Sequence, residues 1–429
     1  MFHLHLSLHC RKSDARGNQM AGLKGELRDR RILATVLVSA LGYFVDIYDL
    51  LLFGIVRIPS LKSLGVSEDQ LLSKGLLLLN MQMAGMLVGG VLWGILGDKR
   101  GRKSVLFGSI LMYSLANIAN AFVPNVEIYC ALRFIAGVGL AGELGAAITL
   151  VSEVMSKESR GIGTTLVATV GILGAVVGSM VGDTFSWQTA YLVGGFMGLG
   201  LLLLRASLLE SGMFESMVAE SNVKKGSFLD LFTSRERFFK YMACILIGVP
   251  IWFVVGTLIT FAPEFSQQLG VVGLVTASKA IMWSYVGLSL GDLSSGLVSQ
   301  VLKSRKKSVS VFLVLTAVLT FTYVLQSGWS AEAFYVLCFL LGVSTGYWAV
   351  FVTIAAEQFG TNIRATVTTT VPNFVRGSVV PVTLAFGYFR GHIGMIPSVT
   401  VVGAVVFALA GLSLWKMKET FGKDLNYFE

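Results

Sequence analysis

The sequence predicts an all-α polytopic membrane protein, with twelve transmembrane helices in two pseudo-symmetric six-helix bundles. Three observations predict it. Hydrophobic residues make up 54% of the 429 and charged residues only 14%. A soluble domain carries about 25% charged residues because its surface must be wet, so most of this surface faces something other than water. Mostly apolar runs of about 20 residues, enough to cross a bilayer, recur along the chain. One charged segment, 209–239, divides them six and six.

The chain opens on a charged stretch, 1–31, read as a cytoplasmic segment. His3, His5 and His9 lie here with nothing around them to fix ligand geometry, and no metal or cofactor is expected. No cleavable signal is visible, so the run at 32–56 is expected to be an uncleaved first span. It carries Asp46-Ile47-Tyr48-Asp49. The second span, 75–97, is rich in glycine (Gly85, Gly89, Gly90, Gly94, Gly97), which lets helices approach closely in lipid. Spans at 104–122, 127–150, 162–182 and 188–208 complete an N-terminal bundle, 32–208. The linker 209–239 holds Glu210, Glu215, Glu220, Lys224, Lys225, Asp230, Arg235, Glu236 and Arg237. Spans at 240–263, 275–300, 308–327, 332–356, 365–390 and 395–416 form the C-terminal bundle, 240–416, and 417–429 is a tail. Six plus six suggests an internal duplication. In support, Gly94-x-x-Gly97-Asp98 with a basic run to Lys103 is echoed by Gly296-x-x-Ser299-Gln300 before Lys303, Arg305, Lys306 and Lys307.

Charge sets the orientation. With the N-terminus inside, about 26 of the 34 Lys and Arg fall in inside segments. The outside loops hold Arg57, Lys62, Lys74, Lys279 and Arg390. That bias puts both termini and the linker in the cytoplasm of a plasma (inner) membrane protein. The net charge of +9 follows from this pattern and does not signal nucleic acid. The cysteines (Cys10, Cys130, Cys244, Cys338) show no metal-ligand or disulfide spacing.

A charge inside a span costs about 2.5–3.5 kcal/mol on insertion scales, so its default reading is functional. Asp46 and Asp49 are three residues apart and share a helix face. Two carboxylates that close do not both ionise cheaply away from water, which makes the pair a proton carrier. The bland alternative is two ordinary ions in a wet vestibule. Helical rise places Asp49 and Arg133 both roughly 26 Å from the cytoplasmic end. Arg133 then pairs with Asp49, permanently or in competition with an anionic substrate. Glu143 reads as a gate or proton-path residue, or as structural. Arg376 follows Pro372-Asn373-Phe374-Val375 near mid-membrane. It is a second anion candidate, or it pairs with Asp292 at similar depth. Tyr48, Asn80, Gln82, Trp252, Tyr285, Trp348 and Asn373 are further candidates for the cavity wall, although a lone aromatic in a span is more often packing.

Gly97-Asp98-Lys99-Arg100-Gly101-Arg102-Lys103 resembles the G-D-x-x-G-R-[RK] loop between spans 2 and 3 of the major facilitator superfamily. Arg133-Phe134-Ile135-Ala136-Gly137, Gly142-Glu143-Leu144-Gly145-Ala146, Glu153 and Arg160-Gly161 resemble the metabolite:proton symporters of that superfamily. Asp46 to Asp49 resemble the first helix of its organic-acid symporters. Glu357-Gln358-Phe359-Gly360 with Arg364 resembles the loop after span 10, and Lys418-Glu419-Thr420-Phe421 also has a familial look. Position 360 is Gly where the family usually has Pro. The resemblance implies alternating access, with Asp46, Asp49 and Glu143 in proton coupling and Tyr48, Arg133, Asn373 and Arg376 at the substrate. Asp98, Arg102, Glu153, Arg160, Glu357 and Arg364 would form the gates. No Pro lies between 125 and 249, so the Gly-Pro-x-x-Gly-Gly signature of drug:proton antiporters is absent from span 5.

The expected function is proton-coupled uptake of a small organic anion. Facilitated or coupled movement of phosphate, a zwitterion, a sugar or a cation stays open, as does export. An enzyme is not expected: no Ser/His or metal-ligand motif sits at membrane depth, and no GxxxxGK[ST] motif binds nucleotide. A sensor would need a larger soluble domain than any loop provides. The expected partners are the small-molecule substrate, protons and the lipid bilayer, with the chain working as a monomer.

Overall fold

A computed structural model describes residues 30–100, 102–142, 155, 160–210 and 228–422. The architecture is twelve transmembrane helices in two pseudo-symmetric bundles of six, as the sequence predicts. The first half comprises α1 (Arg30–Ser63), α2 (Leu71–Arg100), α3 (Arg102–Asn120), α4 (Val126–Leu140), α5 (Arg160–Thr184) and α6 (Trp187–Glu210). The second comprises α7a (Arg235–Phe253), α7b (Ala262–Gln268), α8 (Ala277–Val301), α9 (Arg305–Leu325), α10a (Ala331–Thr345), α10b (Trp348–Gln358), α11a (Thr361–Gly377), α11b (Val379–Ile393) and α12 (Met395–Lys416).

The internal repeat shows in how helices cross. A Cβ added at Gly85 would lie 2.1 Å from Phe134 O, and one at Gly137 2.0 Å from Gln82 O, so α2 and α4 touch backbone to backbone. The second half reproduces this crossing. Gly287 would meet Phe339 O at 2.1 Å and Gly342 would meet Ser284 O at 1.9 Å, between α8 and α10a. Gly85 and Gly89 match Gly287 and Gly291 at the same spacing that relates Gly94 to Gly296, so the echo in the sequence is a true register. Small residues allow this approach where lipid offers no hydrophobic drive between helices.

Three spans read as continuous are interrupted. A π-helical turn, Val254–Ile259, follows α7a. α10 breaks at Gly346-Tyr347, and α11 breaks at Ser378. Broken helices are tolerated at membrane depth only where protein or a cavity receives the freed backbone groups. Asp292 of α8 does this for α10b, accepting the Ala349 N–H at 3.1 Å. The part of 209–239 that is described is not an open linker. A 3₁₀ turn at Phe228–Phe232 lies against α11a, with Leu231 fully buried and the Phe228 and Phe374 rings 6.2 Å apart.

The halves meet along α1, α2 and α5 on one side and α8 and α11a on the other. Three polar contacts bind them at the face away from the chain ends. Arg57 donates to both oxygens of Glu264 at 2.6 and 2.8 Å, Ser278 donates to Asp183 at 2.5 Å, and Thr383 donates to Asn80 at 2.5 Å. Arg57 was expected in an outside loop. It is instead inside α1, fully buried, with its guanidinium 4.4 Å from the Phe261 ring centroid. α1 runs past the expected end, and there Arg57 finds its acid on α7b.

Candidate functional site

Between the halves lies a cavity of about 310 Å³, lined by residues of α1, α5, α7a, α8, α10b and α11a. Its wall is mostly aliphatic, with four aromatic rings (Tyr43, Trp252, Tyr285, Trp348) and two charged side chains, Arg376 and Asp292. Arg376 closes the last turn of α11a. Its guanidinium lies 5.9 Å from the Trp252 ring and 5.8 Å from the Trp348 ring, and Nη2 is 3.7 Å from Asp46 Oδ2 on α1. Nε and Nη1 have no hydrogen-bond partner among the described residues. A buried guanidinium that uses one edge on a carboxylate and frames another with two indoles is built to take a second acceptor.

The expected alternative partner for Arg376, Asp292, is not its partner. Asp292 is held by the start of α10b, while Asp46 reaches Arg376 from the other half. Asp46 and Asp49 also divide their loyalties. Residues three apart are offset by about 60° around a helix, and α1 has a different neighbour on each side. Asp49 points to α6, where a Cβ at Gly194 would stand 2.2 Å from its Oδ1.

Arg133 is fully buried one turn further from the chain-end side. It was expected to pair with Asp49. Its Nη2 donates to Gln82 Oε1 instead, while Gln82 Nε2 donates to Leu50 O at 3.2 Å. The Arg133 guanidinium also lies 5.3 Å from the Phe53 ring and 5.7 Å from that of Tyr191. Asp49 sits within electrostatic reach of Arg133 and Asn117, with neither oxygen in hydrogen-bond geometry. Depth alone does not reveal that Gln82 takes the Arg133 hydrogen bond.

Two further expectations are corrected. Tyr48 does not line the cavity, since its hydroxyl donates to Ala190 O at 2.9 Å against α6. Asn373 is also off the wall. Its amide donates to Ala141 O at 2.9 Å and to Thr369 O at 3.1 Å, joining α11a to the end of α4. Of the gate residues, Glu357 pairs with Arg305 at 3.4 Å and accepts from Thr420 at 2.7 Å. Arg364 Nε donates to Ala356 O at 2.9 Å and holds the turn after α10b. Glu143 and Glu153 lie outside the described residues, as do the side chains of Asp98, Arg102 and Arg160.

The sequence reading missed Glu264, the half-buried partner of Arg57, and the place of Asp292 on the cavity wall. An acid one residue after Pro263, at the end of a span, was the available signal for the first. Glu419 was noted only for its familial look. Its carboxylate accepts from Ser304 Oγ and from the N–H groups of Arg305 and Lys306, so the tail caps α9.

Comparison with known proteins agrees with this architecture. The sequence profile of the Major Facilitator Superfamily matches residues 35–379. The gentisate transporter of Corynebacterium glutamicum is 25% identical over 95% of this chain and 91% of its own length. The niacin transporter of Acinetobacter baylyi is 39% identical over 30% of each chain, so this chain matches less than a third of that relative. The solved xylose transporter of Escherichia coli, in a partially occluded inward-open conformation, superimposes with a TM-score of 0.66. It covers 92% of this chain and 99% of its own at 16% identity, a likeness of fold. A profile that spans most of the chain, a full-length transporter relative and the twelve-helix fold place this protein in the Major Facilitator Superfamily, among its transporters and not among enzymes.

Proposed function

We propose that the protein takes up a small organic anion together with protons, by alternating access of the bundles 32–208 and 240–416 about the linker 209–239. The observation that carries this reading is Arg376, buried on the cavity wall between two indoles, its charge shared with Asp46 of the other half. Protonation of Asp46 releases Arg376, which then accepts a carboxylate. The neutralised assembly crosses, and loss of the proton on the far side returns Arg376 to Asp46 and expels the anion. Moving with one partner alone leaves an uncompensated buried charge, which is costly. Asp49 and Arg133, the latter bonded to Gln82, are a second carboxylate and cation in the proton path.

The names of relatives support an organic acid: gentisate in one, niacin in another, 4-hydroxybenzoate in a third from Acinetobacter baylyi. The Lys and Arg bias supports cytoplasmic termini in a plasma membrane. The cavity then faces inward, with the outer face locked, and one chain contains the whole site. The test is uptake of labelled gentisate, nicotinate and 4-hydroxybenzoate into proteoliposomes with an acid-outside gradient. Accumulation that a protonophore collapses and Arg376→Ala abolishes is expected. Accumulation indifferent to both refutes the reading.

A further inference from the structure

We propose that Asp292 is the ligand-facing acid of the cavity, and that the substrate is an aromatic carboxylate whose ring also bears a hydrogen-bond donor. This rests on the organic-anion reading and adds what the second pole of the site recognises. Two acids stand near the cavity, but one of them meets its contents. Asp46 is 0% exposed, is absent from the wall, and is turned to Arg376. Asp292 keeps accessible surface and lines the wall beside Trp348 and Ala349.

The Asp292 carboxylate is fixed in place. The Ala349 N–H donates to Oδ1 at 3.1 Å and the Trp348 N–H approaches from the same turn. These occupy two of its roughly four acceptor sites, and the start of α10b favours its negative charge. Among the described residues, no other hydrogen bond to this carboxylate is formed. A ligand carboxylate is repelled here and attracted at Arg376, so the two poles also fix which way round a ligand lies. Trp252, Trp348, Tyr43 and Tyr285 share the wall with both, and 310 Å³ suits one substituted ring. A ring that bears only a carboxylate satisfies Arg376 and leaves Asp292 without a donor, which a site built to hydrogen-bond a hydroxyl penalises heavily.

The probes are 3- and 4-hydroxybenzoate and their fluoro counterparts, which match the hydroxyl in size without donating. Binding to purified full-length protein is measured by calorimetry. Wild type should bind at least one hydroxy acid about tenfold or more tighter than its fluoro counterpart, the scale of one charge-assisted bond. Asp292→Asn retains an oxygen to cap Ala349 and turns an amide N–H to the cavity. It should reduce that preference to about threefold or less, with fluoro-acid affinity unchanged and the melting temperature near that of wild type. A wild type that does not discriminate within either pair overturns the assignment, as does a preference unchanged in Asp292→Asn or an equal loss for both members of a pair. Failure of all four acids to bind wild type overturns this inference and leaves the organic-anion reading to the uptake of gentisate and nicotinate.

Discussion

Asp46 of α1 and Arg376 of α11a face each other across the seam between the two bundles, with Oδ2 and Nη2 3.7 Å apart and both side chains sealed from water. The pair joins the halves at mid-membrane, so the halves cannot part there unless each charge finds a new partner. Removing one partner of a buried pair costs about 3–5 kcal/mol. A proton on Asp46 and an anion on Arg376 are the replacements that remove this cost together. The contact therefore ties protonation, ligand and movement to two side chains.

Arg376→Ala should abolish anion uptake. Truncating one side of a buried charge pair loses about 2–5 kcal/mol, which is at least thirtyfold in affinity. Arg376→Lys should recover little, because a point charge does not offer the fork that serves Asp46 and a carboxylate at once. Initial uptake rates and calorimetric affinities of both variants check this. Near wild-type affinity in Arg376→Ala would refute anion recognition at this residue.

Asp46→Asn should keep counterflow exchange of labelled anion and lose uphill accumulation. Exchange needs no net proton release, and an amide leaves Arg376 permanently available. Asp49→Asn should show a milder form of the same split, since Asp49 reaches Arg133 only within a cluster that includes Gln82 and Asn117. Uphill uptake by Asp46→Asn at the wild-type level would remove it from the coupling.

Much of this was legible beforehand. Hydropathy and charge gave the twelve helices, and Gly85 and Gly89 announced a close crossing that Gly287 and Gly291 repeat. Helical rise put Asp49 level with Arg133, and Asp292 was read at a depth similar to that of Arg376. Rise alone does not say which face of α1 meets which neighbour, so Arg376 was matched to Asp292, and Gln82 went unseen beside Arg133. Arg57 was assigned to a loop because a charge near the end of a span ordinarily snorkels to water. Its burial depends on Glu264, about two hundred positions away. The break in α10 carries no proline; it falls at Gly346, where the backbone lies against Gly291 and Asp292 of α8, and the Asp292 carboxylate takes up the Ala349 N–H.

Breaking the outer lock should open that face. Glu264→Gln removes the charge that compensates Arg57, and a buried guanidinium without its acid disfavours the closed arrangement. A cysteine at Ser289, on the cavity wall, in an otherwise cysteine-free background, should stay unlabelled by an impermeant thiol reagent from outside. Adding Glu264→Gln should make it reactive. Unchanged protection would assign the closure to the Asn80–Thr383 and Asp183–Ser278 contacts instead.

Glu419 should anchor the tail electrostatically. Burial opposes its charge, but donation from Ser304 and from the N–H groups of Phe421, Arg305 and Thr420 outweighs that and holds it at about 2, below the ordinary 4.5. A depressed carboxylate contributes stability above its unfolded value and loses it as pH falls through the folded one. Docking should be complete above about pH 4.5 and weaken as pH drops toward 2. Glu419→Ala removes a helix cap worth about 1 kcal/mol, so its melting temperature should fall and a spin label on the tail should become mobile at neutral pH. A tail that stays immobile in Glu419→Ala would mean that Gln358 and Lys306, which bond Lys418 O and Met417 O, suffice.

Gly194→Ala should disturb coupling without touching the cavity. Its new methyl would stand 2.2 Å from Asp49 Oδ1 and 2.9 Å from the Tyr48 ring, closer than atoms pack. Tyr48 is held by Ala190 O on the same helix and has little room to retreat. Asp49 must therefore rotate, and the direction open to it is toward Arg133 and Asn117. A closer Asp49–Arg133 contact stabilises the carboxylate, so the proton is held less well and accumulation should need a more acidic exterior. Anion affinity at Arg376 should stay within about threefold, since residues without shared partners act nearly additively. The pH profile of uptake and the calorimetric affinity together check this. An unshifted profile with a weakened affinity would mean that Asp49 acts on the ligand site and not on the proton.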